Sequence, residues 1–130
     1  TEMAAAGDTL ICTAPGEAST RQLIGAEVIR AIGPSGYLVN VGRGSTVDET
    51  ALIAALEAGE IAGAGLDVFE AEPHIPEALR TRSDVIVTPH IGSATQETRA
   101  AMGDLSIDNL IAFKEGRALL TPVPESQGLL

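Results

Sequence analysis

Four short runs of apolar residues constrain the fold of this chain more than any other feature of its sequence. Each run is closed by glycine, proline or a polar residue, and its apolar residues follow one another with little alternation. Continuous runs of this kind are typical of strands buried on both faces, which occur in parallel sheets covered by helices. The predicted strands cover residues 9–12, 36–41, 63–69 and 84–88. We therefore expect a parallel sheet.

Segments with helical patterns lie between and after these strands. They cover residues 25–32, 49–58 and 94–114. Gly33 ends the first, Asp48 can cap the second, and Gly59 can close it. The order β-α-β-α-β-loop-β-α predicts the α/β class, as a partial Rossmann-type, doubly wound parallel sheet of about four strands with flanking helices and right-handed crossovers. A complete dinucleotide-binding fold has two βαβαβ halves, so this sheet corresponds to about one of them.

Charge and cysteine content exclude several classes of protein. Eight Lys and Arg against eighteen Asp and Glu give a net charge of −10, which argues against nucleic-acid binding and against attraction to an anionic membrane surface. No apolar run reaches the roughly 20 residues of a membrane span. Cys12 is the only cysteine, so no internal disulfide is possible. The first residues lack a signal-peptide pattern, and we expect a cytoplasmic protein.

Polar residues follow each predicted strand at the point where the strand ends. Thr13 follows the first strand, Arg43 the second, Asp67 and Glu72 come at the end of the third, and His90 follows the fourth. Ligands of an open parallel sheet bind beyond the carboxyl ends of its strands. A fixed cation, two carboxylates and a histidine are therefore expected to converge at one edge of the sheet.

Three segments of the sequence resemble motifs of the D-isomer-specific 2-hydroxyacid dehydrogenases. Residues 40–48 (NVGRGSTVD) are similar to the arginine motif, residues 63–73 (GAGLDVFEAEP) to the glutamate motif, and residues 89–95 (PHIGSAT) to the histidine motif. They stand in the family's order, and the resemblance extends from about Leu10 to Gly116. Within the family, the sequences of the last two motifs are most similar to those of glyoxylate/hydroxypyruvate reductases.

The resemblance implies a catalytic role for three of these residues. Arg43 would hold the substrate carboxylate and polarise the adjacent 2-oxo group, because its planar charged fork suits a 2-oxoacid. His90 would donate a proton to the developing alkoxide while the nicotinamide delivers hydride. Glu72 would hydrogen-bond the far imidazole nitrogen of His90 and favour its protonated form. A small 2-oxo or 2-hydroxy acid would be the substrate.

The resemblance also implies NAD or NADP as the cofactor. Asp67 would contact the nicotinamide carboxamide, although a hydrogen bond to a neighbouring loop is the alternative for a carboxylate within an apolar run. The predicted cofactor contacts are Thr13, Val41, Gly42, Arg43, Asp67, His90, Gly92 and Ser93. No cluster of metal ligands surrounds His74, so no metal site is expected. Cys12 and Glu70 are interpreted as an apolar core residue and an ordinary loop carboxylate.

Residues 1–120 are predicted to form the carboxy-terminal part of a nucleotide-binding domain, and residues 121–130 an extended tail. Neither the glycine fingerprint of the phosphate loop nor the residue that recognises the adenosine ribose occurs in this sequence, so NAD and NADP are not distinguished. A complete family member is much longer, and we expect this chain alone to be inactive and marginally stable as a monomer. An open sheet edge and exposed apolar surface would favour a homodimer or higher association.

Other functions remain open at this point. Transcriptional corepressors that reuse this fold and sense dinucleotides retain the same three residues, so the motifs do not separate them from the enzymes. An inactive fragment or interaction module is a third reading. Within the family, Glu72 disfavours formate dehydrogenase, which typically has glutamine there, whereas phosphoglycerate dehydrogenase remains possible.

Overall fold

A four-stranded parallel sheet forms the centre of the chain. The structure, a computed structural model, describes residues 1–126 and divides into two compact units, Thr1–Gly92 and a second unit that begins at Ser93. The strands are β1 (Thr9–Cys12), β2 (Tyr37–Asn40), β3 (Gly63–Leu66) and β4 (Val85–Val87). They pair in the order β1-β2-β3-β4, and every pair is parallel. The predicted class, an α/β fold with a partial Rossmann-type parallel sheet of four strands, is confirmed, with strands shorter than predicted.

Residues 1–126 contain five α-helices. They are α1 (Glu2–Ala5), α2 (Ala26–Ile32), α3 (Glu49–Ala58), α4 (Glu77–Arg80) and α5 (Gln96–Lys114), with single 3-10 turns at Ala18–Thr20, Gly44–Thr46 and Pro124–Ser126. The predicted signals act at α3: Asp48 Oδ1 accepts from the Ala51 amide at 3.0 Å, and Gly59 is left-handed with φ 66°. The prediction missed α1 and α4, because four residues are too few to show a helical period.

All the helices of the first unit pack on one face of the sheet. Core residues of α2, α3 and α4, such as Ile29, Leu52 and Leu79, are fully buried in one cluster with the inward side chains of the strands. Sequential strand order combined with right-handed crossovers places every connecting helix on the same side. A doubly wound sheet covers both faces only where its strand order reverses, and this order does not reverse.

The opposite face of the sheet is therefore open, which corrects the prediction that the strands are buried on both faces. Ile11 is 60% exposed and Ile86 is 72% exposed, and Tyr37 on the same face is half-exposed. These side chains were predicted to be buried because they belong to apolar runs. An apolar run shows that a strand is suited to burial, but it does not show whether another segment packs on each face of that strand.

The second unit consists of α5 and the segment that follows it. Apolar side chains of α5 are exposed; they are Met102, Leu105, Ile107, Leu110, Ile111 and Phe113. Asn109 holds the following segment, since its Oδ1 accepts from the amides of Leu120 at 3.0 Å and Thr121 at 3.2 Å. Of the tail predicted at 121–130, residues 121–126 form this held segment and a 3-10 turn, and residues 127–130 lie outside the described residues. Among helices of residues 1–126, none is long and apolar enough to cross a membrane.

Candidate active site

The loops that follow the four strands begin at one edge of the sheet. The parallel ladder continues for one residue beyond its strands: Val41 N donates to Cys12 O at 3.1 Å, and Asp67 N donates to Asn40 O at 3.0 Å. The chain then leaves the sheet in loops that carry Thr13, the arginine, the glutamate and the histidine of the three motifs. The edge predicted from the sequence is thus the edge where these residues lie.

The backbone around Arg43 is fixed by side chains beneath it. Asn40, which is 1% exposed, accepts from Gly42 N at 3.1 Å through Oδ1 and donates to Arg43 O at 3.0 Å through Nδ2. Thr46 Oγ1 donates to the same carbonyl at 2.5 Å. The Arg43 side chain is itself exposed, and within residues 1–126 its guanidinium makes no ion pair. A charged group is therefore presented to solvent from a rigid base.

Gly44 brings the arginine loop against the glutamate loop. A Cβ at this position would lie 2.0 Å from the carbonyl carbon and oxygen of Phe69 and 2.5 Å from Glu70 N. Real Cβ contacts do not reach such distances, so only glycine allows the two backbones to approach this closely. The spacing between Arg43 and the residues after Phe69 therefore depends on this contact.

Glu72 and His90 form a hydrogen-bonded pair from the loops after β3 and β4. His90 Nδ1 lies 2.8 Å from Glu72 Oε2, and the other carboxylate oxygen accepts from Phe69 N at 3.0 Å. The bond to His90, followed by the one from Phe69, holds the pKa of Glu72 below its ordinary value, and the charge of Arg43 contributes in the same direction. An ionised carboxylate only accepts, so Nδ1 carries the proton and Nε2 is left for other chemistry.

The pair borders a small apolar cleft of about 140 Å³. Phe69, Pro73, Ile75 and Pro89 line it together with the two polar side chains. His90 has a left-handed backbone with φ 53°, a conformation that is uncommon for residues other than glycine and is concentrated at functional sites. A histidine oriented by a carboxylate beside an exposed arginine can transfer a proton to a bound anion.

Comparison with known proteins identifies the family. The model of the D-isomer specific 2-hydroxyacid dehydrogenase, NAD binding domain, matches residues 1–92. This chain belongs to that family. Hydroxyphenylpyruvate reductase of Plectranthus scutellarioides is 49% identical over 122 residues, and glyoxylate/hydroxypyruvate reductase A of Arabidopsis thaliana is 48% identical over the same length. Both alignments cover 94% of this chain and 39% of the relative, so the chain spans about two fifths of their length.

A solved structure of the family has the same fold. The NADPH-dependent glyoxylate/hydroxypyruvate reductase of Sinorhizobium meliloti, in complex with NADP and malonate, matches with a TM-score of 0.92 and 56% identity. The match covers 96% of this chain and 39% of that one. The resemblance to glyoxylate/hydroxypyruvate reductases seen in the motifs therefore extends over most of this chain, but over only part of that reductase.

Asp67 anchors the loop that carries His90. Its Oδ1 accepts from Thr88 Oγ1 at 2.5 Å and from Ile91 N at 2.9 Å, and its Oδ2 accepts from Gly92 N at 2.8 Å. Burial raises the pKa of Asp67, but the three hydrogen bonds outweigh it, and the pKa is lowered. The loop hydrogen bond that the sequence allowed as the alternative is present. A contact between Asp67 and a cofactor stays a prediction.

Asp67→Asn is expected to lower the free energy of unfolding by about 1–3 kcal/mol near neutral pH, because an amide NH₂ cannot accept from both loop amides. The lowered pKa means that the stabilisation by Asp67 is complete above its unfolded pKa of about 3.9 and is lost as pH falls through the folded value. Urea unfolding as a function of pH should therefore show a shallower acid limb in the variant. Asp8→Asn, at an exposed aspartate, is the control. An unchanged acid limb would contradict the assignment.

Three residues that shape the site were not singled out from the sequence. Asn40 gave the same signal as Asp67, a polar residue at the end of an apolar run, and this signal could have identified it. Gly44 gave none, since the backbone it lies against, at Phe69 and Glu70, is distant in the sequence. Thr46 bonds the carbonyl of Arg43, only three residues before it, but no pattern in the sequence marks that bond. Thr13, Val41 and Gly92 are exposed at the same edge, whereas Gly42 is buried. Ser93 begins the second unit, and its cofactor contact stays a prediction.

Two minor interpretations concern residues outside the site. Cys12 is buried in the core, with Sγ 3.3 Å from Thr46 Oγ1, and Glu70 pairs with Arg21 at 2.9 Å on the surface. Among residues 1–126, no group of three or more His, Cys, Asp or Glu could hold a metal ion.

Proposed function

We propose that this chain belongs to an NAD(P)-dependent oxidoreductase that transfers hydride between a nicotinamide cofactor and a small D-2-hydroxy or 2-oxo acid, such as glyoxylate or hydroxypyruvate. The observation that carries the proposal is the 2.8 Å bond between His90 and Glu72 beside the exposed Arg43. The relatives named as glyoxylate/hydroxypyruvate reductases support the choice of substrate class.

Arg43 is proposed to bind the carboxylate of the 2-oxoacid. Its guanidinium is permanently charged and offers parallel N–H donors that match a carboxylate. The same donors would withdraw electron density from the adjacent carbonyl. The fixed backbone around Arg43, held by Asn40 and Thr46, supports this role because a preorganised donor loses little freedom on binding.

His90 is proposed to move the proton. With Nδ1 bound to Glu72, the imidazolium Nε2–H can protonate the substrate oxygen as it becomes an alkoxide, and the neutral Nε2 can accept the proton in reverse. Glu72 would stabilise the imidazolium electrostatically and fix the ring. The lowered pKa of Glu72 supports this, because the carboxylate stays charged over the range in which a histidine titrates.

NAD or NADP is proposed as the cofactor, which supplies or accepts the hydride when bound. The described residues fit such a group: Thr13, Val41 and Gly92 expose a mixed apolar and polar surface along the carboxyl edge, beside His90. Open α/β sheets bind nucleotides at this edge. Gly42 would contribute by its small size, since a Cβ there would lie 2.6 Å from Ala14 O. Contacts of Asp67 and Ser93 with the cofactor belong to the same proposal.

Association and compartment are proposed from the surface properties. The open sheet face carries apolar side chains that are at least half exposed, among them Ile11 and Ile86. Such a surface supports a homodimer or higher association. The net charge of −10 supports the absence of nucleic-acid and membrane partners. A single buried cysteine is compatible with the cytoplasm.

The function is tested by measuring oxidation of NADH and NADPH with glyoxylate and with hydroxypyruvate. Two samples are compared: the purified chain, and a chimera in which this chain replaces the matching segment of the Sinorhizobium meliloti reductase. We expect turnover from the chimera and none from the chain alone. A chimera that melts cooperatively and binds NADPH but reduces no 2-oxoacid would contradict the proposal and favour a dinucleotide-sensing protein. A chimera that folds without binding cofactor would favour an inactive module.

A further inference from the structure

The turn that carries Glu72 is held from outside by a second carboxylate. Phe69 N is bound by Glu72 itself, and the next amide, Glu70 N, donates to Glu49 Oε1 at 2.5 Å. Glu49 is the first residue of α3, directly after the helix cap Asp48. The carboxylate therefore joins the helix that follows the arginine loop to the turn that presents Glu72.

Glu49 is partly buried, while Glu70, whose amide it binds, is exposed. The side chain is drawn away from water, and this desolvation raises its pKa, while the hydrogen bond from Glu70 N works in the opposite direction. α3 buries side chains such as Leu52 in the core, but Glu49 stands in its first turn and is not part of that core. Its position is explained by the amide that it binds.

We propose that Glu49 is a positioning residue that sets the geometry of the Glu72–His90 pair through the turn at residues 69–72. The proposal rests on the role of Glu72 given above, and it assigns to Glu49 no contact with substrate or cofactor. Two consecutive amides of one turn are each bound by a carboxylate, one from within the turn and one from α3. Loss of the outer bond frees Glu70 N, and the neighbouring Phe69 N then no longer faces Glu72 in a fixed direction.

The salt bridge on the same turn is the competing explanation. Arg21 Nη2 lies 2.9 Å from Glu70 Oε1, but the Arg21 side chain is 61% exposed. Exposed ion pairs contribute little and are screened by salt. The Glu49 bond reaches the backbone of the turn, whereas the Arg21 bond reaches only a side chain, so the backbone bond is the one that can orient Glu72.

The test follows the titration of Glu72 in the 130-residue chain by NMR. The Glu72 side-chain carboxyl carbon and the Phe69 amide proton report the same event, because the amide donates to that carboxylate. In the native chain both should titrate together, below the ordinary range of a glutamate. Glu49→Ala is expected to shift the pKa of Glu72 upward and to reduce the amplitude seen at the Phe69 amide. Glu49→Gln, which keeps an accepting oxygen, should restore both.

Two control variants separate a positioning role from a general loss of structure. Glu27→Ala removes an exposed acid from the first turn of α2, and Arg21→Ala removes the surface ion pair; neither should move the Glu72 titration. An unchanged titration in a folded Glu49→Ala variant would overturn the proposal, and so would an equal shift in Arg21→Ala. A Glu49→Ala chain that does not fold leaves Glu49→Gln as the deciding variant. In it, a raised pKa of Glu72 would overturn the proposal. Because no turnover is measured, the outcome is independent of whether the protein is a reductase.

Discussion

Replacing His90 with glutamine should lower kcat of the chimera for glyoxylate by about 10²–10⁴-fold, the usual contribution of a positioned general acid. Glutamine retains a polar side chain that can reach Glu72, but it cannot release a proton to the alkoxide. The expected loss is therefore mainly in kcat, whereas the dissociation constant of NADPH should change much less, since His90 is only one of several predicted cofactor contacts. Steady-state kinetics and a fluorescence titration of NADPH measure the two quantities separately.

His74→Gln is the matched control for this prediction. His74 is the second histidine of the chain, it is exposed, and it lies only two residues beyond Glu72. His74 does not line the cleft beside His90. Its replacement should leave kcat within about twofold, since substitutions of exposed residues usually have small effects. Equal losses in the two variants would mean that the turn is sensitive to any change and that His90 has no special chemistry.

The strand runs, the helix caps and the order of the motifs could be predicted because they depend on local sequence. Asp48 and Gly59 limit α3 at the predicted residues, since a cap requires only a side chain and a backbone conformation. The site edge followed from topology: if the strands are parallel, the loops after them meet. Arg43, Glu72 and His90 could thus be brought together without any knowledge of distances.

The open sheet face could not be predicted from apolar runs. Ile11 and Ile86 have the sequence pattern of buried strand residues, yet they are exposed. Burial of the second face depends on segments outside the sequential βαβ crossovers, and hydrophobicity does not identify them. The missing information was the strand order. When the strands follow one another in sequence and every crossover is right-handed, the connecting helices can cover only one face of the sheet.

Contacts between distant loops were equally hidden. Gly44 lies against Phe69 and Glu49 binds Glu70 N, and neither pair is related by a period or a motif spacing. Both contacts fix the distance between the arginine loop and the glutamate turn. The proposed catalytic residues could be named from the sequence, whereas Gly44 and Glu49, which join their loops, became visible only in the structure.

Arg43→Ala should lower kcat/KM of the chimera by about 10²–10³-fold, comparable to the removal of one donor from a preorganised anion site. Arg43→Lys should recover only part of this loss, because an ammonium keeps the charge but not the planar fork that pairs with a carboxylate. Most of the change is expected in KM for the 2-oxoacid if Arg43 mainly binds the carboxylate. A larger share in kcat would indicate that it also polarises the reacting carbonyl.

Chemical rescue makes the test specific to the guanidinium group. Added guanidinium should restore part of the activity of Arg43→Ala and leave Arg80→Ala unaffected, since Arg80 belongs to the short helix α4 and is exposed. Because Asn40 and Thr46 hold the backbone of residue 43 through its carbonyl, the loop should keep its conformation in the variant, and added guanidinium can take the place of the side chain. Full activity in Arg43→Lys would contradict a requirement for the planar fork. It would reduce the role of Arg43 to that of a positive charge near Glu72, where its charge also helps to lower the pKa of that carboxyl group.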